Sequence, residues 1–151
     1  MEHRSIEVLL IEDDPGDARL VKEMLAEAGA PRFNLSHSTR LADGLRLLGG
    51  GRFDVVLLDL TLPDSAVMIT LLKVISEARA RTPVVVLTGL DNTMAGSWAL
   101  QEGATDYLVK GKVDANLLEF SIRYAIERQQ QSIEQHPAPK AVTAVRRSDV
   151  E

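Results

Sequence analysis

Acidic and cationic residues follow several of the apolar runs in this sequence, at the points where those runs end. Three carboxylates occupy positions 12–14 after the first run, and Asp59, Thr88 and Lys110 directly follow later runs. Carboxylates that lie close together repel one another unless a proton or a cation compensates their charge. Because the available ligands are oxygens, Mg²⁺ or Mn²⁺ is favoured over zinc. An aspartate beside such an ion can accept a phosphoryl group, whose oxygens Lys110 and Thr88 could then contact.

Each of these residues also has a plainer interpretation when taken alone. A strand-terminal Asp is more often a turn or cap residue, Lys110 fits a solvated loop lysine, and Thr88 fits a capping hydroxyl. The carboxyl ends of parallel strands share one edge of a sheet, where ligands bind. The joint occurrence of these residues at the ends of several strands therefore favours a phosphate or metal site.

The elements that must position these residues alternate between short β-rich runs and longer helical segments. The β-rich runs are residues 7–11, 33–38, 55–58, 84–87 and 107–109. Runs 55–58 and 84–87 are apolar at every position, which is typical of strands covered on both faces. Strands that alternate with helices of this length predict right-handed crossovers and a doubly wound, five-stranded parallel α/β sheet.

Cap and stop residues predict the ends of the first two helices. Asp14 and Pro15 suit the N-cap and the first position of helix one, and Gly29 suits its end. Thr39 could cap helix two, which would end in the glycine run 49–51.

The ordered domain is predicted to span residues 6–131 and to end with a helix that begins near Asp114. Residues 132–151 contain few large apolar residues, no periodicity and charges that cancel. Such a segment cannot bury enough apolar surface to order itself, so we expect a flexible tail. The tail offers no helices for a DNA-binding module, so a single-domain protein that acts by contact is expected.

The composition excludes several other classes of protein. The 151 residues correspond to about one domain, and the absence of Cys excludes a disulfide framework, a Cys-zinc site and a thiol nucleophile. The net charge of −5 argues against broad, non-specific nucleic-acid binding. Wholly apolar runs reach only four residues and the N-terminus is polar, so no membrane span or signal peptide is predicted. A cytoplasmic location is expected.

Four segments resemble the receiver domain of bacterial two-component response regulators, which has the chemotaxis-regulator-like fold. In order along the chain they are VLLIEDDP at 8–15, VVLLDLTLP at 55–63, PVVVLTG at 83–89 and GATDYLVK at 103–110. The resemblance covers residues 6 to about 131 and implies a flavodoxin-like sheet with strand order 2-1-3-4-5. Residues 122–128 further resemble a receiver subgroup often found beside sensor kinases and phytochromes.

The resemblance implies a role for each residue of the acidic site. Asp59 would accept a phosphoryl group from a partner sensor histidine kinase, and Lys110 would bind a phosphoryl oxygen. Asp13, Asp59 and the backbone carbonyl of Thr61 would hold Mg²⁺, with Glu12 acting through water. Such a protein is a Mg²⁺-dependent phosphoacceptor with slow autodephosphorylation rather than a turnover enzyme.

Two further residues would form a switch. The resemblance implies that Thr88 moves towards the phosphoryl group and that Tyr107 follows it inward. The surface made by the fourth helix, the fifth strand and the fifth helix would then carry the output. Asp14, the third acid in its row, is assigned to the helix N-cap rather than to the metal.

Three residues depart from the family pattern or tune it. Gly111 stands where most receivers have Pro, so a trans peptide bond and a looser loop are expected. Val67 stands where many relatives have Gly, so the loop after Asp59 could differ in shape. Leu90 lies two residues after Thr88, at a position that tunes dephosphorylation in this family. Its bulk is predicted to hinder the attacking water and prolong the phosphorylated state; alternatively, it only packs the loop.

The last helix carries a possible interface. On a helical wheel, one half of the helix is covered by Leu117, Leu118, Ser121, Ile122, Ala125 and Ile126. Phe120 and Tyr124 fall outside that set, one turn apart. We predict a homodimer with Leu117, Phe120 and Tyr124 at its interface. Docking to a kinase or another target is the alternative, and two partly exposed aromatic residues without a partner are the plainest interpretation.

Three competing functions remain open at this stage. A phosphohydrolase of the haloacid-dehalogenase type would need a second Asp two residues after the nucleophile, where this chain has Thr61. A flavodoxin-like carrier of a nucleotide or FMN would need a first loop that attracts anions, and the carboxylates at 12–14 repel them. A receiver that works by docking alone, without phosphorylation, is the third possibility.

Overall fold

Five strands and five helices alternate along the described residues, which are 5–27, 32–79 and 81–135 of the computed structural model, with side chains described through residue 131. In chain order the elements are β1 (Ile6–Ile11), α1 (Pro15–Glu27), β2 (Phe33–Ser38), α2 (Leu41–Gly50), β3 (Val55–Leu58), α3 (Val67–Ala78), β4 (Val84–Thr88), α4 (Thr93–Gln101), β5 (Asp106–Val109) and α5 (Ala115–Gln135). The predicted strands all form, with small differences at their ends.

The strands make one parallel sheet in the order β2-β1-β3-β4-β5, as predicted. The last residue of β1, Ile11, aligns with Ser38 of β2 on one side and Leu58 of β3 on the other. Strand β2 lies on one side of β1, whereas β3 and the later strands lie on the other side, so the strand order reverses between β1 and β3. Ligands bind outside the carboxyl ends of the strands at such a reversal, so the loops after β1 and β3 are the ones that matter for function.

Two apolar layers cover the faces of the sheet. Leu9 and Ile11 of β1 pack towards α2, α3 and α4, while Val8 and Leu10 pack towards α1 and α5. All four residues of β3 are completely buried, which confirms that this strand is covered on both faces. Each such buried aliphatic side chain stabilises the fold by roughly 1.5–3 kcal/mol, so the central strands form a rigid support for the loops that follow them.

A glycine allows α2 to approach the carboxyl end of β1 closely. A Cβ atom at Gly44 would lie 2.6 Å from Cδ1 of Ile11. A larger residue there would therefore have to displace Ile11, which directly precedes Glu12. The position of the first acidic residue thus depends in part on this close helix–strand contact.

The predicted Thr39 cap of α2 is wrong. The N-cap residue is Arg40, whose side chain makes no capping hydrogen bond. The Asp64 carboxylate, from the connection between β3 and α3, instead accepts hydrogen bonds from the backbone N–H groups of Leu41 at 2.9 Å and Ala42 at 3.1 Å. This cap comes from a segment more than 20 residues away, so helix two shows no cap in its own local sequence.

The N-terminal end of α1 follows from local sequence. Helix α1 begins at Pro15, and Asp14 caps it by accepting a hydrogen bond from the Asp17 N–H at 3.0 Å, as predicted. The predicted end at Gly29 lies outside the described residues. Val67 is the first residue of α3, so the position where relatives carry Gly adopts a helical backbone that Val tolerates.

Helix α5 is longer than predicted. It continues past the expected end at Gln131 to Gln135, and the remaining residues of the predicted tail, 136–151, lie outside the described residues. None of the helices in the described part of the chain has the length and hydropathy needed to span a bilayer.

Candidate functional site

Backbone hydrogen bonds fix three of the predicted site residues at one edge of the sheet. The Glu12 N–H donates to the Ser38 carbonyl at 2.9 Å, and the Asp59 N–H donates to the Ile11 carbonyl at 3.0 Å. The Lys110 N–H likewise donates to a carbonyl of β4 at 2.8 Å. Each bond extends the pairing of two strands by one residue. The side chains that follow β1, β3 and β5 are therefore held by the sheet itself rather than by flexible loops.

The Asp59 carboxylate lies at the centre of this edge and is only 2% exposed. Its Oδ1 atom accepts hydrogen bonds from the Thr88 hydroxyl at 2.8 Å, the Thr61 hydroxyl at 3.0 Å and the Thr61 N–H at 3.2 Å. Its Oδ2 atom accepts from Lys110 Nζ at 3.0 Å. Burial acts to raise the pKa of Asp59, but the bonds from Lys110, Thr61 and Thr88 outweigh it and hold the pKa below the usual value. Asp59 is consequently ionised at neutral pH.

Lys110 brings the carboxylates of three separate elements together. Its Nζ lies 2.7 Å from Glu12 Oε1, 2.8 Å from Asp17 Oδ2 and 3.0 Å from Asp59 Oδ2. Burial acts to lower the pKa of Lys110, but the bonds to Asp17, Glu12 and Asp59 raise it well above its ordinary value. The lysine is therefore charged throughout the physiological pH range and offers a fixed positive charge beside Asp59.

Glu12, Asp13 and Asp59 form an acidic cluster that fits a divalent cation. One carboxylate oxygen from each lies within 4.8 Å of the other two. Glu12 is almost completely buried, and this burial outweighs the bond from Lys110 and raises the pKa of Glu12 to about 7. Asp13 is exposed, so an ion could enter from solvent. An all-oxygen donor set with several negative charges suits Mg²⁺.

The predicted switch residues form a connected chain of contacts. Thr88 is fully buried and already donates to Asp59, and the Leu90 N–H donates to the Thr88 hydroxyl at 3.4 Å. The Tyr107 hydroxyl donates to the Leu90 carbonyl at 2.6 Å. The Tyr107 ring also packs on α4, because a Cβ at Gly96 would lie 3.4 Å from the ring. Contacts therefore run without a gap from Asp59 to α4.

Comparison with known proteins decides the family. The chain matches the response regulator receiver domain over residues 8–123. This protein belongs to the response regulator receiver family. Receivers are the phosphoacceptor domains of two-component signalling, and the five-stranded sheet and its strand order agree with that family's fold.

The receiver resembles only part of its longer relatives. It is 37% identical over 105 residues to the swarming motility regulation protein RssB of Serratia marcescens, covering 68% of this chain and 45% of RssB. It is 29% identical over 144 residues to the methanogenesis regulatory protein FilR1 of Methanothrix harundinacea, covering 90% of this chain and 32% of FilR1. The chain thus spans less than half the length of either relative.

A solved structure with the same fold contains a metal ion. The receiver domain of the sensor histidine kinase PA1611 of Pseudomonas aeruginosa aligns with a TM-score of 0.70 at 24% identity, covering 82% of this chain and 99% of that one. That crystal structure has a magnesium ion coordinated in its active-site cleft. At 24% sequence identity, this similarity shows that the two proteins share a fold and nothing more.

The predicted interface residues of the receiver lie on the exposed side of α5. Phe120 is 65% exposed and Tyr124 is 41% exposed, and their rings stack with centroids 6.1 Å apart. Leu117 is 40% exposed, although it falls on the same half of the helical wheel as the buried residues Leu118 and Ile122. It lies in the first turn of α5, beside the stripe of Leu118 and Ile122 that faces the sheet. The homodimer itself stays a prediction.

Sequence reasoning missed one residue of the site, Asp17. Its carboxylate contacts Lys110 from the first turn of α1, across 93 positions of sequence. The contact with Lys110 could be found only in the folded structure.

Proposed function

We propose that this chain accepts a phosphoryl group on Asp59 from a sensor histidine kinase and signals by changing its protein-contact surface. The observation that carries the proposal is the setting of the Asp59 carboxylate. It is buried at the end of β3, with Lys110 on one oxygen and Thr88 on the other. This setting places an ionised carboxylate beside a positive charge and a hydroxyl donor, the groups that can stabilise phosphoryl oxygens.

The surrounding groups support a direct transfer to Asp59. An oxygen of the ionised carboxylate attacks phosphorus, and the bond from phosphorus to the histidine nitrogen of the donor breaks. The electron pair of that bond leaves with the nitrogen, and an acyl phosphate forms on Asp59. Lys110 can then donate to one phosphoryl oxygen and the Thr88 hydroxyl to another, because both already lie within hydrogen-bond distance of Asp59.

We assign the acidic cluster to Mg²⁺. Asp13, Asp59 and the backbone carbonyl of Thr61 would hold the ion, with Glu12 acting through water. When bound, Mg²⁺ neutralises the crowded carboxylates and the oxygens of the transferred group. Glu12 must then be ionised, although its burial favours the protonated form near neutral pH.

The contacts between Asp59 and α4 support a switch through Thr88 and Tyr107. A phosphoryl group on Asp59 would draw the Thr88 hydroxyl to a new acceptor. Because Leu90 bonds to both Thr88 and Tyr107, a shift of Thr88 changes the support of the tyrosine. We propose that the surface of α4, β5 and α5 carries this change to a partner, most simply a second copy through Phe120 and Tyr124.

The remaining parts of the proposal concern cellular context. We propose that the receiver acts through protein contacts in the cytoplasm, without binding nucleic acid or membrane. Phosphoester turnover is disfavoured because Thr61, rather than an acid, lies two residues after Asp59, and its hydroxyl already donates to that carboxylate. Slow autodephosphorylation is expected instead.

Intact mass spectrometry after incubation with acetyl phosphate tests this function. We expect a gain of about 80 Da, one phosphoryl group, that requires Mg²⁺ and is absent from Asp59→Asn. Asp43→Asn is the matched control, because Asp43 is a partly exposed aspartate on α2, far along the chain from the acidic site residues, whose carboxylate pairs with Arg46. An adduct that persists in Asp59→Asn, or none in the unaltered protein with Mg²⁺ present, would contradict the proposal.

A further inference from the structure

Asp17 is a fourth acid of the site that the proposed chemistry does not use. Its Oδ2 atom lies 2.8 Å from Lys110 Nζ. Within the described residues, the acidic cluster that fits a cation consists of Glu12, Asp13 and Asp59, without Asp17. Asp17 therefore contacts Lys110 from the first turn of α1 without belonging to that cluster.

The three carboxylates around Lys110 use its full donor capacity. An ammonium group has three N–H donors, and Glu12, Asp17 and Asp59 accept from Nζ at 2.7–3.0 Å. An incoming phosphoryl oxygen must take one of these donors. In the proposed function, Mg²⁺ and the phosphoryl group can replace Lys110 as partners of Glu12 and Asp59. The Asp17 carboxylate, in contrast, is held by its contact with Lys110.

The position of Asp17 is fixed by the start of α1. Asp14 accepts the Asp17 N–H at 3.0 Å, and Pro15 begins the helix with a restricted backbone. The contact with Lys110 is thus built into the helix start and does not depend on a mobile loop.

We propose that Asp17 is a positioning residue that holds the Lys110 ammonium group and offsets part of its positive charge. This contact slows phosphorylation of Asp59 and strengthens Mg²⁺ binding. The inference rests on the proposed function above. With acetyl phosphate as donor, the Asp59 oxygen attacks phosphorus while the bond to acetate breaks, and acetate leaves with the electron pair. Asp17 opposes this step because it competes with the phosphoryl oxygens for Lys110 and adds a negative charge near the incoming anion.

The size of the effect follows from the shared contact. Asp17 and Asp59 both touch the same nitrogen atom, so their Oδ2 atoms lie within about 6 Å of each other. One unit charge at that distance in a partly exposed site changes a rate or an affinity by the order of tenfold. The effect should be larger for a donor with a higher negative charge.

Asp17→Asn tests the inference, because it keeps the size of the side chain and removes its charge. Phosphorylation rates are measured by intact mass over a range of Mg²⁺ concentrations, with acetyl phosphate and with the less negatively charged phosphoramidate. We expect the rate at saturating Mg²⁺ to rise about tenfold with acetyl phosphate and less with phosphoramidate. The Mg²⁺ concentration for half-maximal rate should rise as well.

This combination distinguishes a charge effect from simple loosening of the site. If Asp17 only kept Lys110 in place, its loss would slow the reaction equally with both donors, and that result would overturn the inference. An unchanged rate would overturn it too. Asp43→Asn is the control, because it also removes a carboxylate from the first turn of a helix. Absence of an adduct in the unaltered protein would instead refute the underlying function.

Discussion

Asp64→Ala removes the cap that the connection after β3 supplies to α2. Two backbone N–H groups, those of Leu41 and Ala42, lose their acceptor, and the Arg40 side chain offers no replacement. Loss of an N-cap costs about 1 kcal/mol. The loss of a negative charge at a helix N-terminus adds a few tenths, about 0.3 kcal/mol, because this carboxylate is exposed to solvent. The free energy of unfolding should therefore fall by about 1–1.5 kcal/mol.

Urea unfolding followed by Trp98 fluorescence measures this loss. Trp98 is partly buried against the core layer that contains α2, so its emission should report unfolding of that layer. We expect the midpoint to fall by about half a molar in urea and the melting temperature by about 2–5 °C. Asp64→Asn keeps an oxygen acceptor and should lose less than half as much. Asp43→Ala, on the same helix turn, should change stability by less than about 0.5 kcal/mol.

The pH dependence gives a second check of the same contact. Hydrogen bonds from the Leu41 and Ala42 N–H groups hold the pKa of Asp64 below its usual value. A carboxyl whose pKa is lower in the folded state stabilises the fold above its unfolded pKa and loses that effect as the pH falls through the folded value. The difference between the unaltered protein and Asp64→Ala should therefore be full at pH 7 and narrow below about pH 4. Equal stability of the two proteins at pH 7 would refute the cap assignment.

Three further outcomes follow from the site and its surface. Burial raises the pKa of Glu12 to about 7, so protons compete with Mg²⁺ and the apparent Mg²⁺ affinity should drop by up to about tenfold per pH unit below pH 7. Titration calorimetry at several pH values measures this affinity, and Glu12→Gln should show no such pH dependence. A pH-independent affinity in the unaltered protein would count against the prediction. Leu90→Asn should shorten the lifetime of the phosphorylated state several-fold, and an unchanged decay of the 80 Da adduct would mean that Leu90 only packs its loop. Phe120→Ala combined with Tyr124→Ala should lower the sedimentation coefficient of the phosphorylated protein without unfolding it, since both rings are substantially exposed; an unchanged coefficient would exclude a dimer at this face.

Local sequence determined the elements and the edge at which the site forms. The apolar runs of β3 and β4 are buried at every position because a strand covered on both faces needs no polar residue. Asp59 comes directly after β3 and Lys110 directly after β5, and parallel strands end at a common edge. Asp14 caps α1 because the carboxylate of an N-cap binds the amides of the next turn. All of these features depend on neighbours within a few residues, so the sequence shows them directly.

Tertiary structure decided the contacts between distant segments and the charge state of buried groups. Asp17 meets Lys110, and Asp64 caps α2, only because the fold brings together residues far apart in the chain. The pKa of Glu12 depends on how completely its carboxyl is removed from water. Residue type and spacing indicate which groups are able to bind protons, cations or backbone amides. Distance and burial decide which of them do, and both quantities exist only once the helices have packed on the sheet.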